Sequence, residues 1–170
     1  MADDPAFVAD GGCTCRAVRY RLTRAPLIVH CCHCRWCQRE TGSAFVLNAL
    51  IETAHVAPLS GHAELVLTPS NSGKGQTIVR CASCQVAVWS HYAGLGERLA
   101  FVRVGTLDEP DRFPPDVHIY TESKQAWVVL PAGARSFAQY YSSREVWSEA
   151  SLARRQALIG QALIGQAPSG

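Results

Sequence analysis

The chain has no run of like charge. Its 16 Lys and Arg residues are interspersed with 14 Asp and Glu, giving a formal net charge of +2. Nucleic acids and anionic membranes are held by clustered basic residues, so neither is expected as a partner. No apolar stretch approaches the roughly 20 residues that a membrane-spanning helix needs. The opening "MADDPAFVADGG" is acidic and lacks the apolar centre of a secretory signal, so a reducing, cytoplasmic setting is expected. The compositional bias of a disordered chain is also missing, with 48% hydrophobic and 18% charged residues. At 170 residues the chain is long enough to bury a core as one domain. Its core is expected over 9–148, with a helical or frayed tail over 149–170.

What is present is mostly short strand patterns. "AVRYRLT" alternates Val18, Tyr20 and Leu22 with Arg19 and Arg21, the period of a half-exposed strand. "LIVHCC", "AFVLNALI", "AELVLT", "TIVRCASC", "VAVWSHY", "LAFVRVGTL", "VHIYTE" and "AWVVL" have similar length and β-branched or aromatic content. Turn formers such as "TPSNSGKGQ" and "DEPDRFPPD" separate several of them. From about Glu145 the composition turns to Ala, Leu, Glu, Gln and Arg, which predicts a helix. Gly160 and Gly165 are expected to interrupt it, and "QAPSG" to fray. The fold class is therefore mainly β with a short C-terminal helical segment.

The 8 cysteines are grouped as "CTC" (Cys13, Cys15), "CCHCRWC" (Cys31, Cys32, Cys34, Cys37) and "CASC" (Cys81, Cys84). Cysteines this close make poor disulfide partners, and a reducing compartment disfavours bridges. A pair one or two residues apart can present both sulfurs to one ion from a tight turn, and structural zinc commonly takes two such pairs. Cys13, Cys15, Cys81 and Cys84 read as that staple, against the plainer reading of two unrelated sets of buried cysteines. Zinc sites of this kind contribute about 10–16 kcal/mol, more than the usual stability of a domain. Cys32, Cys34 and Cys37 supply three further ligands, and three ligands with one open position is the pattern of a catalytic zinc. His30, His33 or Cys31 could instead close that site, or it could be metal-free with one reactive thiol. The spacings usual for iron–sulfur clusters are missing.

"GGCTCRAVRY", "CHCRWCQRETGSAF", "RCASC", "VGTLDEPDRFPPDVHIY" and "SKQAW" together resemble the glutathione-dependent formaldehyde-activating enzyme family, from about Gly11 to Trp147. The resemblance implies a β-tent, small antiparallel sheets leaning together around a four-cysteine zinc. It places that zinc on Cys13, Cys15, Cys81 and Cys84 and a second on Cys32, Cys34 and Cys37, so two zincs per chain. It also implies condensation of glutathione with formaldehyde to S-(hydroxymethyl)glutathione, a carbon–sulfur lyase-type activity. Arg16 and Gln85 stand where the family usually has glycine. They must adopt a positive φ at some cost or use a different turn. Cys31 lies outside the shared pattern and reads as a small buried hydrophobe.

Two further readings stay open beside the enzyme: a carrier that binds glutathione or another small thiol, and a zinc-stapled interaction domain. A methionine sulfoxide reductase, also zinc-stapled, is excluded because no cysteine follows Cys84 to serve as its late catalytic thiol. Arg35 and Arg39 flank the three-cysteine loop and could meet glutathione carboxylates. His33, between two ligands, could relay a proton. Lys124 and His118 fall in family-like segments. Trp36, Trp89, Trp127, Trp147, Tyr140 and Tyr141 are expected in the core rather than around a pocket. "LDEPDRFPPD" has three prolines and reads as a fixed loop, with Asp108 and Glu109 capping its turn.

Overall fold

The computed structural model describes residues 6–70 and 72–164. Strands β1 (Ala9–Gly12), β2 (Arg19–Leu22) and β5 (Val56–Ser60) form a three-stranded antiparallel sheet. The second sheet has seven strands. They are β3 (Ile28–Cys32), β4 (Val46–Glu52), β6 (Ala63–Thr68), β7 (Gln76–Cys81), β8 (Ala87–Tyr92), β9 (Leu99–Arg103) and β10 (Val117–Ile119). Their order is β10-β3-β4-β9-β8-β7-β6, antiparallel throughout except that β10 runs parallel to β3. The mainly β class with short C-terminal helices is thus the fold, and the larger sheet is wider than the resemblance implied.

Side chains leave alternate faces of a strand, and the large sheet uses both faces. Val29, Ala49, Ile51, Ala100 and Val102 point into a core shared with Tyr20 and Leu22 of the small sheet. Ile28, Cys32, Val46, Leu50 and Leu99 point the other way, into a second core closed by Tyr141, Trp147 and Leu158. Helix α1 (Arg35–Thr41) follows β3, and helices α2 (Ser143–Val146) and α3 (Glu149–Ile164) end the described chain. The C-terminal segment docks on the sheet: Ser151 Oγ donates to the Leu27 carbonyl at 2.7 Å, and Arg154 forms an ion pair with Glu52.

Several local expectations change. "AWVVL" is not a strand; Trp127 and Val129 are 70% and 88% exposed there. The helix expected from Glu145 is two helices, separated at Trp147 and Ser148, where Trp147 is buried in the second core and Ser148 Oγ accepts the Ser151 N–H at 3.1 Å to start the second. Gly160 lies inside α3, while Gly165 and "QAPSG" lie outside the described residues. Asp108 and Glu109 do not cap: Asp108 forms an ion pair with Arg19, and Glu109 pairs with Arg112 at 2.8 Å.

Candidate functional site

The two distant cysteine pairs sit in matching turns. Cys13 N–H donates to the Val18 carbonyl and Cys81 N–H to the Val86 carbonyl, the same five-residue closure at 3.1 and 3.0 Å. The residue after each second cysteine is left-handed, Arg16 at φ 63° and Gln85 at φ 59°, so both keep the family's turn without its glycine. These turns bring four sulfurs within 4.8 Å of one another, with Cys13–Cys15 at 3.4 Å and Cys15–Cys81 at 3.7 Å. Sulfurs held about 2.3 Å from a tetrahedral zinc stand roughly 3.8 Å apart, so the group has the size of a coordination shell. Backbone N–H groups of Cys15 and Val86 draw the Cys84 thiol down to about 6, and that of Cys84 lowers Cys81. Turns that aim N–H groups at sulfur favour the thiolate a metal needs.

The second group forms where β3 meets α1. Cys32 ends the strand on the side of the second core, and Cys34 caps the helix, its sulfur accepting the Cys37 N–H at 3.4 Å. Gly42, left-handed at φ 63°, ends that helix of about two turns. Cys32, Cys34 and Cys37 converge within 4.8 Å, all buried, and among the described residues no fourth Cys, His, Asp or Glu joins them. Hydrogen bonds from Cys32 and Cys37 push Cys34 down to about 3, while Cys32, donating to both neighbours, is driven far up. The surroundings thus favour the thiolate form at Cys34.

That charge has a buried counterpart the sequence did not announce. Arg103, on β9, is 6% exposed, and its guanidinium donates to Asn48 Oδ1 and to Ser90 Oγ, both neutral. A buried guanidinium costs several kcal/mol unless a countercharge lies near. The hydrogen bond with Cys32 and the charge of Arg103 favour the thiolate of Cys37, while the hydrogen bond with Cys34 and burial outweigh them and push that thiol up to about 12.

A cavity of about 350 Å³ opens over the three sulfurs. Cys32, Cys34 and Cys37 form part of its floor, and Trp36, Tyr92, Phe101, Tyr120 and Tyr140 line its walls. Trp36 and Tyr140 thus bound a pocket rather than a core, whereas Trp147 and Tyr141 are core and Trp89 packs against it. At one end stand Ser70, Ser72, Lys74 and Gln76. Gln76 is buried, and its Oε1 has no hydrogen-bond partner. His30 shares the face of Cys32 and also borders the cavity. Trp147 Nε1 donates to the Tyr141 hydroxyl at 2.8 Å, and that hydroxyl lies 2.6 Å from His30 Nε2. With the Trp147 N–H donated to its oxygen, the Tyr141 hydroxyl can give its own proton to Nε2, the arrangement in which Nδ1 is the N–H donor of the ring. Burial lowers His30 to about 3, which keeps the imidazole neutral.

The other candidate residues lie elsewhere. Arg35 and Arg39 line a separate open cleft with Gln125 and Trp127, on the far side of α1. His33 faces away from the cavity, against His118, with its Nδ1 unpartnered. Lys124 Nζ holds a turn by donating to the Val128 carbonyl at 2.6 Å. Of the cavity residues, Lys74 and Gln76 carry no sequence signal beyond a glycine-rich turn. Cys31 is buried as expected, though not among apolar groups alone: its sulfur lies 3.5 Å from His33 Nε2. Among the described residues no helix is long and apolar enough to cross a membrane.

A mainly β domain that gathers seven thiols at two points, one group closed and one facing a cavity, defines a protein whose cysteine clusters could hold metal ions. The family model described as glutathione-dependent formaldehyde-activating enzyme matches residues 8–123, and the chain belongs to that family. The crystal structure of a Rhodobacter sphaeroides protein is similar at 16% identity and a TM-score of 0.43, covering 75% of this chain and 97% of that one. No curated protein is detectably similar in sequence.

Proposed function

We propose that the chain is a zinc-dependent enzyme that joins a small thiol, glutathione or a relative, to a small aldehyde such as formaldehyde. The reading rests on one observation: three converging sulfurs face a cavity, and among the described residues no fourth Cys, His, Asp or Glu joins them. Both cysteine groups fit zinc by donor type, with four sulfurs for a structural ion and three for an open one. Zinc on Cys32, Cys34 and Cys37 supplies a position where a thiol is held deprotonated at neutral pH. The residues of the chain do the rest. The aromatic walls exclude water and hold the aldehyde near the sulfur. Lys74 and Ser72 meet a carboxylate of the thiol substrate, and Gln76 Oε1 accepts from one of its N–H groups. The sulfur lone pair forms the C–S bond, the carbonyl π pair moves to oxygen, and that oxygen takes a proton from water, replacing the one the thiol gave up. Neutral His30, through Nδ1–H, donates a hydrogen bond to the oxygen as its charge develops.

The test is the interconversion of formaldehyde, glutathione and S-(hydroxymethyl)glutathione, followed by exchange NMR with and without protein. Enzymatic action predicts faster exchange in proportion to protein concentration. Unchanged exchange at saturating protein, with glutathione bound, would leave a carrier in its place. Metal analysis of the same preparation is expected to return zinc near two per chain.

A further inference from the structure

Cys31 and Cys32 are neighbours in a strand, so their sulfurs leave opposite faces of the large sheet. Cys32 goes to the cavity. Cys31 goes to the other side, where His118 is its cross-strand partner in the parallel β3–β10 pair. His33, two residues on, lies on the Cys31 side. The result is a cluster separate from both groups already described. His33 Nε2 is 3.5 Å from Cys31 Sγ and 3.1 Å from His118 Nδ1, and all three donor atoms lie within 4.8 Å of one another. The residues are 2%, 0% and 8% exposed.

Those separations are close to the edges of a coordination shell. Around a three-coordinate ion with metal–nitrogen bonds of about 2.0 Å and metal–sulfur bonds of about 2.3 Å, donors stand roughly 3.5–3.7 Å apart, so the 3.1 Å between His33 Nε2 and His118 Nδ1 has to open by a few tenths of an ångström. The cluster contains one thiol and two imidazoles, with no carboxylate and, among the described residues, no fourth donor. A divalent ion there would keep a net positive charge after binding one thiolate, and a buried unpaired charge is costly. A monovalent ion leaves the site neutral. Soft thiolate with imidazole in a three-ligand arrangement is the donor set that suits Cu(I), the reduced form of copper.

We propose that Cys31 Sγ, His33 Nε2 and His118 Nδ1 form a buried three-coordinate site for a soft monovalent cation, Cu(I). Binding releases the Cys31 proton to solvent and forms one copper–sulfur bond, with no change of oxidation state. The site is independent of the thiol–aldehyde chemistry on the opposite face.

The test is an anaerobic titration of the zinc-loaded full chain with Cu(I) delivered from a colorimetric chelator, with released zinc measured at each step. The first equivalent is expected to bind without releasing zinc, and its X-ray absorption spectrum to show one sulfur and two nitrogen neighbours. Cys31→Ala and His118→Asn are expected to lose that equivalent, so that copper enters only as zinc leaves. A sulfur-only shell in the wild-type protein, zinc release with the first equivalent, or unchanged uptake by Cys31→Ala would overturn the proposal. The wild-type spectrum decides it alone if either variant fails to fold. It also separates this site from the three-cysteine group in a chain that holds no zinc.

Discussion

The Tyr141 hydroxyl stands 2.6 Å from His30 Nε2, between the Trp147 indole and the floor of the cavity. This relay links the segment before α3 to the face of β3 that carries Cys32. Its removal leaves two buried nitrogens without partners. Tyr141→Phe is expected to lower stability by about 1–3 kcal/mol, the cost of unsatisfied buried groups. If His30 donates to the reacting oxygen, the same change lowers turnover more than it raises KM. Urea unfolding and steady-state kinetics measure the two effects separately.

Arg103 is expected to behave as a countercharge and not merely as a packed side chain. Arg103→Met keeps the bulk and removes the cation beside Cys37. The three-cysteine group should then bind zinc at least about tenfold more weakly, roughly 1.4 kcal/mol. The four-cysteine group should be unaffected. Competition with a zinc chelator resolves two classes of site, and equal weakening of both would contradict the assignment.

The two thiol groups differ in what they hold together. Cys13 and Cys15 precede β2, while Cys81 ends β7, so these ligands join the two sheets. Cys81→Ser is expected to unfold the chain or cost several kcal/mol, because structural zinc contributes directly to folding. Cys34→Ser should lose one zinc per chain and the catalytic activity while retaining the β circular-dichroism spectrum. Metal analysis and far-ultraviolet spectra of both variants check this.

Arg16 and Gln85 occupy left-handed backbone that costs a side chain about 1–2 kcal/mol. Arg16→Gly and Gln85→Gly should each raise stability, by about 1 kcal/mol, with the gain visible as a higher urea midpoint. A loss in either case would mean that contacts of the side chain outweigh the strain.

Acid sensitivity has a defined sign at the small sheet. Hydrogen bonds from Arg21 and Arg19 hold Asp10 and Asp108 below their ordinary 3.8. A depressed carboxylate contributes stability above its unfolded value, and that contribution is lost as pH falls through the folded value. The window therefore lies below pH 3.8. Both pairs are partly exposed, so the effect is small and screened by salt. Asp10→Asn with Asp108→Asn should flatten the acid limb of a stability–pH curve at low ionic strength and change little in 1 M salt, a concentration that shortens the Debye length to about 3 Å.

Most of the large sheet was legible because its strands are runs of Val, Ile, Leu and aromatics. β1 and β5 were not. "ADGG" has poor strand propensity, and Gly11 is there because a Cβ would lie 2.6 Å from the Tyr20 ring. "VAPLS" carries a proline, which an edge strand tolerates. Helix α1 was hidden because its cap is a cysteine sulfur and not one of the usual Ser, Thr, Asp or Asn caps. The cysteine pairs were plain in the spacing. Lys74, Gln76 and Arg103 were not, since nothing local marks a side chain whose partners arrive from other strands.

The sequence by itself determined the pairs: one or two residues between cysteines let a tight turn present both sulfurs to one ion, as at Cys13–Cys15 and Cys81–Cys84. Only the tertiary structure decided what each sulfur meets. Alternation along β3 sends Cys32 to a cavity and Cys31 to a histidine pair, and the identity of those neighbours depends on strands β9 and β10, far away in the chain. Ligand spacing is a local property of the backbone. Burial, countercharge and access are properties of packing, and packing brings together residues that no short window of sequence contains.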